Sequence, residues 1–339
     1  MVKKINKGGN VNLREILSSK LLESIPEGAS NFVIVDVPDH PNVGDSAIFL
    51  GEYDFLLTHF PKATINIVDY RSYSAGQYKL LERADCIFFH GGGNFGDLWM
   101  RHQNIRLAVM EQFSNKVLIQ FPQSIHFDTK EVLEKTKATI KKCESFTFFV
   151  RDVVSQKFAN ENFDCDVKLT PDMAFCMNTI QRSKAKLDAF CLLRVDKERL
   201  FDNSESIKIK LNDNKLSFEV DDWVVEKAPI KAKINKVICR FIRKFPRLNP
   251  LVQPLYEKLR IAYAKDNVAR GVKLLSKGNV VITDRLHAFI LSTLLGIENF
   301  VFDSRGGKVG NFHSTWSNGF NGSKLVKEVS DIDLARKKD

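Results

Sequence analysis

The feature that most constrains the fold is an alternation of short apolar runs with longer segments of helical periodicity. In the first half of the chain the predicted strands are Phe32–Val37, Thr64–Val68, Cys86–Phe89, Val117–Gln120, Phe146–Val150 and Asp166–Leu169. Apolar strands that alternate with helices are typical of a parallel sheet whose two faces are both covered. We therefore predict an α/β fold built on parallel sheets.

A second series of the same kind follows, so two domains are expected. Its predicted elements are the strands Ala189–Arg194, Val280–Thr283 and Phe300–Phe302 and the helix Leu286–Leu295. A chain of 339 residues is long enough for two domains of ordinary size. We predict an N-terminal α/β domain over 1–177 and a C-terminal α/β domain over 187–339 with an insertion at about 196–278. Within that insertion, the polar stretch 201–215 is predicted to be a loop.

The charge of the chain favours an anionic partner. Lys and Arg number 51 against 41 Asp and Glu, which gives a formal net charge of +10. Such an excess attracts phosphate, nucleic acid or acidic lipid without choosing among them. The six cysteines form no C-x-x-C pair, so we expect no zinc site and reduced thiols. Neither a signal peptide nor an apolar run of membrane-spanning length is visible in the sequence, which predicts a cytoplasmic protein.

Polar segments follow several predicted strands, where ligands of open α/β sheets bind. The first is Asp36–Asp45, in which His40, Asn42 and Asp45 lie between a strand and a helix. Free N–H groups at the start of that helix favour an anion, so we predict a binding loop. For Asp45 alone, capping of the helix is the favoured explanation.

The second segment, His90–Asp97, contains consecutive glycines directly after a strand. Gly92 and Gly93 allow the backbone to approach a ligand or another strand closely. The segment lacks the Gly-Lys-Ser/Thr of a P-loop and does not match the dinucleotide fingerprint. With Asn94 and Asp97 it is predicted to bind a ligand, and a tight strand-to-helix turn is the alternative.

Two further strand ends carry polar side chains. Gln123 and His126 follow one predicted strand, and we expect them to line the mouth of a site, although a lone histidine is often structural. Arg151 stands at the end of the next strand, where it suits an anion. Asp172 lies at another strand end and suits a sugar hydroxyl or a catalytic base. A salt bridge across these loop ends is the equal alternative.

The segment Thr283–Ala288, TDRLHA, is the strongest candidate. A strand ends here and an apolar helix begins at Leu286, so Arg285 and His287 lie at a helix N-terminus. The helix dipole favours an anion at this end, and two cationic side chains are unfavourable without one. Arginine offers a bidentate fork to phosphate or carboxylate, and histidine offers a general acid. Lys308, after the next strand, is a further candidate wall of the same pocket.

Together these residues resemble the polysaccharide pyruvyl transferase family. The matching motifs are HPNVGDSAI at 40–48, HGGGNFGDLW at 90–99, FPQSIHF at 121–127, VRD at 150–152, TPDMAF at 170–175, a strand ending at 194, TDRLHA at 283–288 and the loop 303–308. The resemblance covers roughly residues 30–320 and leaves out much of the insertion. The ordered set is more specific than any one of its motifs.

The resemblance implies two Rossmann-like domains facing a cleft, as in GT-B glycosyltransferases. The implied reaction transfers the pyruvyl unit of phosphoenolpyruvate, a co-substrate, onto two hydroxyls of one sugar and yields a cyclic ketal and phosphate. The donor is expected at Arg285, Leu286 and His287 in the C-terminal domain, with Arg194 as a further match. The loops of the N-terminal domain are then expected to face the saccharide acceptor.

The same resemblance suggests roles for individual residues. His287 is the expected general acid, and Asp97, Asp45 or Asp172 is expected to help deprotonate an acceptor hydroxyl. Electrostatic stabilisation by the arginines should dominate the catalysis. The scheme needs no metal and no cofactor other than the co-substrate.

The insertion contains a basic amphipathic helix that does not follow from the family core. Near 231–247, apolar residues such as Ile234, Val237 and Phe241 recur at helical spacing between Lys and Arg. Such a helix suits an anionic membrane surface. This would place the enzyme peripherally at the inner face of the cell membrane, acting on a lipid-linked saccharide. A helix that packs on the domain with a solvated basic face is the equal alternative.

Two other functions compete with pyruvyl transfer. A nucleotide-sugar glycosyltransferase of similar architecture would need a ribose-binding acidic residue, and no clear signature is visible in the C-terminal half. A non-catalytic nucleic-acid-binding protein is suggested by charge alone. The basic stretch has few aromatic residues and no recognised motif, so we expect no nucleic acid partner.

Overall fold

The structure is a computed structural model that describes residues 12–195, 200, 202–223 and 229–334. The chain divides into two compact units, and each contains one parallel sheet. The N-terminal unit combines Arg14–Thr179 with Val224–Arg270. The C-terminal unit combines Ile180–Trp223 with the chain from Gly271 onward. The prediction of an α/β fold with parallel sheets is confirmed, and the GT-B-like arrangement stays a prediction.

The N-terminal sheet holds seven of the described strands. They are β1 (Asn31–Val35), β2 (Thr64–Val68), β3 (Cys86–Phe89), β4 (Gly92–Gly96), β5 (Val117–His126), β6 (Ser145–Val150) and β7 (Asp166–Leu169). Their order is β2-β1-β3-β5-β6-β7, every pair is parallel, and β4 pairs with the end of β5. All four residues of β3 are buried, as expected for a central strand covered on both faces.

The C-terminal sheet holds the other five described strands. They are β8 (Leu187–Leu192), β9 (Phe218–Asp221), β10 (Gly278–Thr283), β11 (Glu298–Phe302) and β12 (Ser323–Val326). Their order is β12-β11-β10-β8-β9, and all pairs are again parallel. The carboxyl ends of all five strands therefore lie along the same edge.

Helices connect the strands of both sheets. Among the described residues they are α1 (Leu13–Leu22), α2 (Val43–His59), α3 (Ala75–Glu82), α4 (Met100–Gln112), α5 (Lys130–Ile140), α6 (Val153–Asn162), α7 (Ser204–Asp213), α8 (Ile230–Lys244), α9 (Asn249–Leu275), α10 (Leu286–Leu294) and α11 (Lys308–Trp316). None of these helices combines the length and the apolar composition that crossing a membrane requires.

The loop predicted over 201–215 is wrong for most of its length. Residue 201 lies outside the described residues, and helix α7 occupies Ser204–Asp213. This helix buries only Ile207 and Leu211, while Ile209 is 60% exposed. Two buried residues leave a weak periodic signal, so the polar composition of the segment concealed the helix.

The insertion does not pack as one piece with the C-terminal domain, as the predicted boundaries had it. Its stretch Val224–Arg270 belongs to the N-terminal unit. Polar contacts show why: Nη2 of Arg260 lies 2.9 Å from Oδ2 of the buried Asp69, and Gln253 donates to the carbonyl of Ile67. Helices α8 and α9 thus cover the N-terminal sheet near β2, which the order of elements along the chain could not indicate.

Candidate active site

The carboxyl ends of β1, β3 and β5 lie side by side, because these strands are neighbours in the N-terminal sheet. Hydrogen bonds between the strands and the residue that follows β3 hold this edge together. The N–H of His90 donates to the carbonyl of Val35, and the amide of Gln123 donates to the carbonyl of His90. β5 runs on to His126, so Gln123 and His126 lie within this strand and do not follow it as predicted. The first three polar segments nevertheless lie together at one edge of the sheet.

The loop after β1 begins helix α2 with a different cap from the one we expected. Asn42 is the N-cap, and its Oδ1 accepts the N–H of Gly44 at 2.8 Å. Asp45 lies in the first turn of the helix, where its Oδ2 is 2.7 Å from Nε2 of His40. The N-cap is thus Asn42 and not Asp45. The half-buried pair of His40 and Asp45 lies next to the carboxyl ends of the strands.

The carboxylates around His40 control its charge. Burial lowers the pKa of this imidazole, but hydrogen bonds to Asp39 and Asp45 outweigh burial and raise the pKa well above its usual value. Asp39 also pairs with Arg71, and these contacts hold the pKa of Asp39 far below its usual range. Near neutral pH the loop therefore presents a cationic imidazole between two carboxylates.

A buried charge cluster that the sequence analysis missed lies beneath this loop. Asp36, fully buried at the end of β1, has a φ of 70°, a left-handed conformation that is uncommon for a non-glycine residue. Nδ1 of His102 donates to its two oxygens at 2.7 and 2.9 Å, and the guanidinium of Arg106 lies 3.9 Å away. Burial lowers the pKa of Arg106 to about 10, although Asp36 opposes the shift. Backbone strain of this kind is concentrated at functional sites.

A second buried pair joins helix α2 to the glycine segment. Glu52 accepts from Nδ1 of His90 at 2.9 Å and from the N–H of Gly91 at 2.7 Å. Burial raises the pKa of Glu52. Burial alone would lower the pKa of His90, but the Glu52 carboxylate outweighs this effect, so the pKa of His90 is raised. Nε2 of His90 is buried and has no hydrogen-bond partner among the described residues. A glutamate inside the mostly apolar helix α2 was the sequence signal for this pair.

The glycine segment forms a short strand, β4, instead of the predicted loop or tight turn. Gly92 and Gly96 have φ values of 116° and 118°, and a Cβ on Gly96 would lie 1.7 Å from the carbonyl oxygen of His126. The glycines therefore allow two backbone segments to approach each other. Asn94 is held in the same layer, since its Oδ1 accepts from Arg106 and from Gln123.

Asp97 and His126 lie together at the outer rim of this edge. Both oxygens of Asp97 accept the N–H of Asp128 at 3.0 Å, and one accepts that of Thr129 at 2.5 Å. These bonds lower the pKa of Asp97 against the effect of burial. The ligand atoms of Asp97, His126 and Asp128 are close enough for a metal ion. However, the backbone bonds already explain the position of Asp97, and His126 and Asp128 are exposed.

Arg151 and Asp172 form a salt bridge, which was the alternative explanation for both. Nη1 of Arg151 is 2.7 Å from Oδ2 of Asp172, and both side chains are buried. Arg151 also donates to Oγ of Ser124, while Asp172 caps the short helix that begins at Met173. These contacts hold the ends of β6 and β7 together beneath the surface.

In the C-terminal unit, Arg285 is the N-cap of α10, at the carboxyl end of β10. Its Nη2 lies 2.6 Å from Oδ2 of Asp222, and its guanidinium is 5.8 Å from the ring centroid of Trp223. Asp222 therefore supplies the negative charge that a cation at a helix N-terminus requires. Asp222 could not be singled out from the sequence, because it follows β9, a short strand that was not predicted.

The other predicted donor residues surround the same strand ends. Leu286 and His287 begin α10 and are buried and half-buried, respectively. The backbone N–H of Arg194 donates to Oδ1 of Asp284 at 2.9 Å, which ties the end of β8 to the start of α10. Burial raises the pKa of Asp284. Lys308 opens α11, directly after the glycine pair that follows β11.

A cavity of about 250 Å³ opens at this edge of the C-terminal sheet. Its polar lining comes from Asn203, Asp284, Asp303 and Lys327. None of Arg194, Arg285, His287 and Lys308 is among its lining residues. The predicted donor residues therefore lie beside this cavity at the same sheet edge and do not form its walls.

Comparison with known proteins adds an independent line of support. The profile of the family described as polysaccharide pyruvyl transferase matches residues 42–306. Pyruvyl transferase 1 of Schizosaccharomyces pombe is 31% identical over 322 residues, which cover 91% of this chain and 75% of that protein. EpsO of Bacillus subtilis, named as a putative pyruvyl transferase, is 29% identical over 341 residues, which cover 96% of this chain and 97% of that protein.

A solved structure supports the fold. A functionally uncharacterised protein from Klebsiella pneumoniae aligns with a TM-score of 0.58 and 18% sequence identity, covering 94% of this chain and 99% of that chain. At this identity the likeness shows the fold alone. The family profile, by contrast, spans most of the chain, from the N-cap of α2 to the loop that follows β11. This chain belongs to the polysaccharide pyruvyl transferase family.

Proposed function

We propose that this enzyme transfers the pyruvyl group of phosphoenolpyruvate onto two hydroxyls of one sugar and forms a pyruvate ketal. Family membership supports a pyruvyl transferase. Phosphoenolpyruvate, the donor, carries up to three negative charges, on a phosphate and a carboxylate. A site for it needs cationic side chains that can bind both groups.

The observation that carries the proposal is the position of Arg285 at the N-terminus of α10, with His287 in the first turn. The helix dipole and a guanidinium there favour the same anion. Asp222 now neutralises Arg285. A donor phosphate would compete with that carboxylate for the guanidinium. Arg194, two residues after β8, and Lys308, the first residue of α11, lie at the same sheet edge.

On the acceptor side we place the saccharide at the loops that follow β1 and β3. Of the three carboxylates considered as a base, Asp172 is buried against Arg151, and Asp97 is engaged by backbone N–H groups. Asp45 is half-buried next to the carboxyl ends of the strands. We therefore assign the assisting carboxylate to Asp45, with His40 as the group that orients it.

The proposed reaction balances without any further reactant. His287 donates a proton to carbon 3 of phosphoenolpyruvate, and the oxygen of the first sugar hydroxyl bonds to carbon 2. The bond from carbon 2 to the phosphate oxygen then breaks, and the second hydroxyl oxygen bonds to the same carbon. The two hydroxyl protons leave: one restores the proton that His287 gave, and the other goes to the released phosphate or to solvent. Arg285 stabilises the charge on the departing phosphate.

We also propose that the acceptor is lipid-linked and that the enzyme acts peripherally at the inner face of the cell membrane. The amphipathic helix α8, which exposes four large apolar side chains, supports this location. A lipid-linked saccharide would be held at the same surface as the enzyme.

The test is phosphate release from phosphoenolpyruvate in the presence of a panel of galactose-, glucose- and mannose-containing acceptors. Arg285→Gln and His287→Gln should each lower acceptor-dependent release by about 100-fold or more. Arg83→Gln and His59→Gln are matched controls, since both side chains are exposed in the N-terminal unit. These controls should keep wild-type release.

Donor binding is measured separately as the rise in melting temperature with phosphoenolpyruvate, since a ligand stabilises the state that it binds. A rise that Arg285→Gln abolishes supports the donor site even before the right acceptor is found. The proposal is wrong if phosphoenolpyruvate gives neither a rise nor phosphate release. A rise with a nucleotide sugar instead would favour the glycosyltransferase alternative.

A further inference from the structure

Helix α8 buries mainly small or polar side chains and exposes large apolar ones, which is the reverse of an ordinary surface helix. Its buried residues are small or polar, apart from one isoleucine: Ala232, Asn235, Cys239 and Ile242. Asn235 is almost completely buried, and neither atom of its amide has a hydrogen-bond partner among the described residues. A surface helix normally turns its large apolar residues to the core and its polar residues to water.

Most of the large apolar side chains of α8 face solvent. Ile230, Ile234, Val237 and Phe241 are 74%, 42%, 61% and 37% exposed. At about 100° per residue these four lie within one narrow stripe, on the side of the helix opposite the buried residues. Phe245, directly after α8, extends this stripe, since its ring is 4.9 Å from that of Phe241. Phe245 is itself 41% exposed.

The exposed apolar residues continue past the end of α8. Leu248, Leu251 and Leu255 follow at helical spacing across the start of α9, and they are 42%, 79% and 53% exposed. We call the eight residues from Ile230 to Leu255 the apolar stripe. An apolar surface of this length is uncommon on a soluble protein and marks a contact with another surface.

Cationic side chains flank the apolar stripe. The exposed ones are Lys233, Lys236, Arg240, Arg243, Lys244, Arg247 and Lys258. On α8 they project along one side of the stripe, between it and the buried face. None of the seven forms an ion pair with another residue in the part of the chain that the structure describes. Lys231, on the other side of α8, pairs with Asp266.

We propose that the apolar stripe and its flanking cations form a docking surface for an anionic lipid bilayer. An apolar face beside a row of cations is the arrangement that inserts side chains below lipid headgroups while the cations bind those headgroups. A second copy of the chain fits less well. A symmetric dimer through this surface would bring the cations of both copies to one interface, where like charges repel. The inference deepens the membrane location in the proposed function, but it does not depend on the identity of the donor.

The test is co-sedimentation of the full chain with phosphatidylcholine vesicles, prepared either without anionic lipid or with about one third phosphatidylglycerol. The wild type should bind the anionic vesicles, and the binding should weaken with salt. Lys236→Gln with Arg240→Gln should lower the partition coefficient about 30-fold, because each cation near the surface contributes roughly fivefold. Val237→Asp should lower it at least about tenfold.

Matched variants separate this surface from a general effect. Lys141→Gln with Lys142→Gln removes two exposed lysines from the end of α5. Ile209→Asp places the same acidic residue at an exposed β-branched position on α7. Both controls should bind vesicles like the wild type. Each docking variant should keep the melting temperature rise with phosphoenolpyruvate, so a failed donor and a failed docking surface give different results.

Three outcomes would overturn the proposal. The first is wild-type protein that does not bind anionic vesicles at low salt. The second is binding that Val237→Asp and the double lysine–arginine variant leave unchanged. The third is a concentration-dependent dimer, seen by sedimentation velocity without lipid, that Val237→Asp breaks. That last result would assign the apolar stripe to a second copy of the chain.

Discussion

Buried charges at the edge of the N-terminal sheet are compensated in pairs that come from distant parts of the chain. Asp36 follows β1 and meets His102 and Arg106 from α4, while Glu52 from α2 meets His90 after β3. A charge buried without its partner costs far more than the pair contributes. The loops that carry the proposed acceptor site are therefore fixed from below by side chains that do not need to touch a substrate.

Replacing Asp36 by Asn should separate the role of its charge from that of its backbone. Asn tolerates a positive φ at least as well as Asp, so the change mainly leaves Arg106 buried without a counter-charge. We expect a loss of about 3–5 kcal/mol in the free energy of unfolding, measured by chemical denaturation.

Two comparisons complete that experiment. Asp36→Ala should cost about 1–2 kcal/mol more, since the left-handed conformation is unfavourable for a residue without a short polar side chain. Asp128→Asn, at an exposed position, should change stability little. A loss below about 1 kcal/mol for Asp36→Asn would show that the buried cluster is not an ion-pair network.

The charge of His40 predicts how stability depends on pH. Its pKa in the folded protein is raised to about 10, above the value of about 6.5 for an unfolded histidine. A raised folded-state pKa contributes stability that is fully present below about pH 6.5 and is lost as the pH rises through the folded value.

The stability difference between wild type and His40→Gln should therefore be largest near pH 6 and shrink toward pH 10. Because the His40 side chain is 42% exposed, solvent screens the pair, and we expect a maximum of only about 1 kcal/mol. Urea denaturation at several pH values measures it. A difference that grows with pH would contradict the assigned ion pair.

At the scale of elements, one glycine decides how closely α2 approaches its neighbour. A Cβ on Gly51 would lie 1.9 Å from the carbonyl oxygen of Met173, in the short helix Met173–Cys176. In an unobstructed helix, Gly→Ala stabilises a protein by about 1 kcal/mol. Gly51→Ala should instead destabilise this protein, because backbone atoms would have to move. Thermal unfolding gives the sign, and a stabilised variant would rule out the close approach.

The strands β1, β3 and β6 could be predicted because most of their residues are buried, so they stand out as continuous apolar runs. Two other elements could not: β9 and α7 bury too few residues for a clear period. Some residues of the candidate site could likewise be predicted from the sequence, and others could not. His40, Asn94 and Arg285 were found from their place after a strand. Asp36 and Asp222 acquire their importance only from partners that the fold brings to them.

At the scale of the whole molecule, the sequence order of the chain and its packing differ. Val224–Arg270 follows the first strands of the C-terminal sheet, yet it packs on the N-terminal unit. There Arg260 is buried, pairs with Asp69 at 2.9 Å and donates to the carbonyl of Val37 at 3.1 Å. A residue of the insertion therefore neutralises a carboxylate next to β2.

This packing predicts which unit a mutation in the insertion destabilises. Arg260→Gln leaves Asp69 buried without its counter-charge. We expect this loss of stability to appear as easier local opening of the unit that contains Asp69. Hydrogen exchange measured by mass spectrometry should show faster exchange in β1 and β2, with β8 and β10 unchanged. Lys258→Gln, two residues away on α9 and exposed, should leave both sheets unchanged. If the insertion packed with the C-terminal domain, as the sequence alone had suggested, the faster exchange would instead appear in β8 and β10.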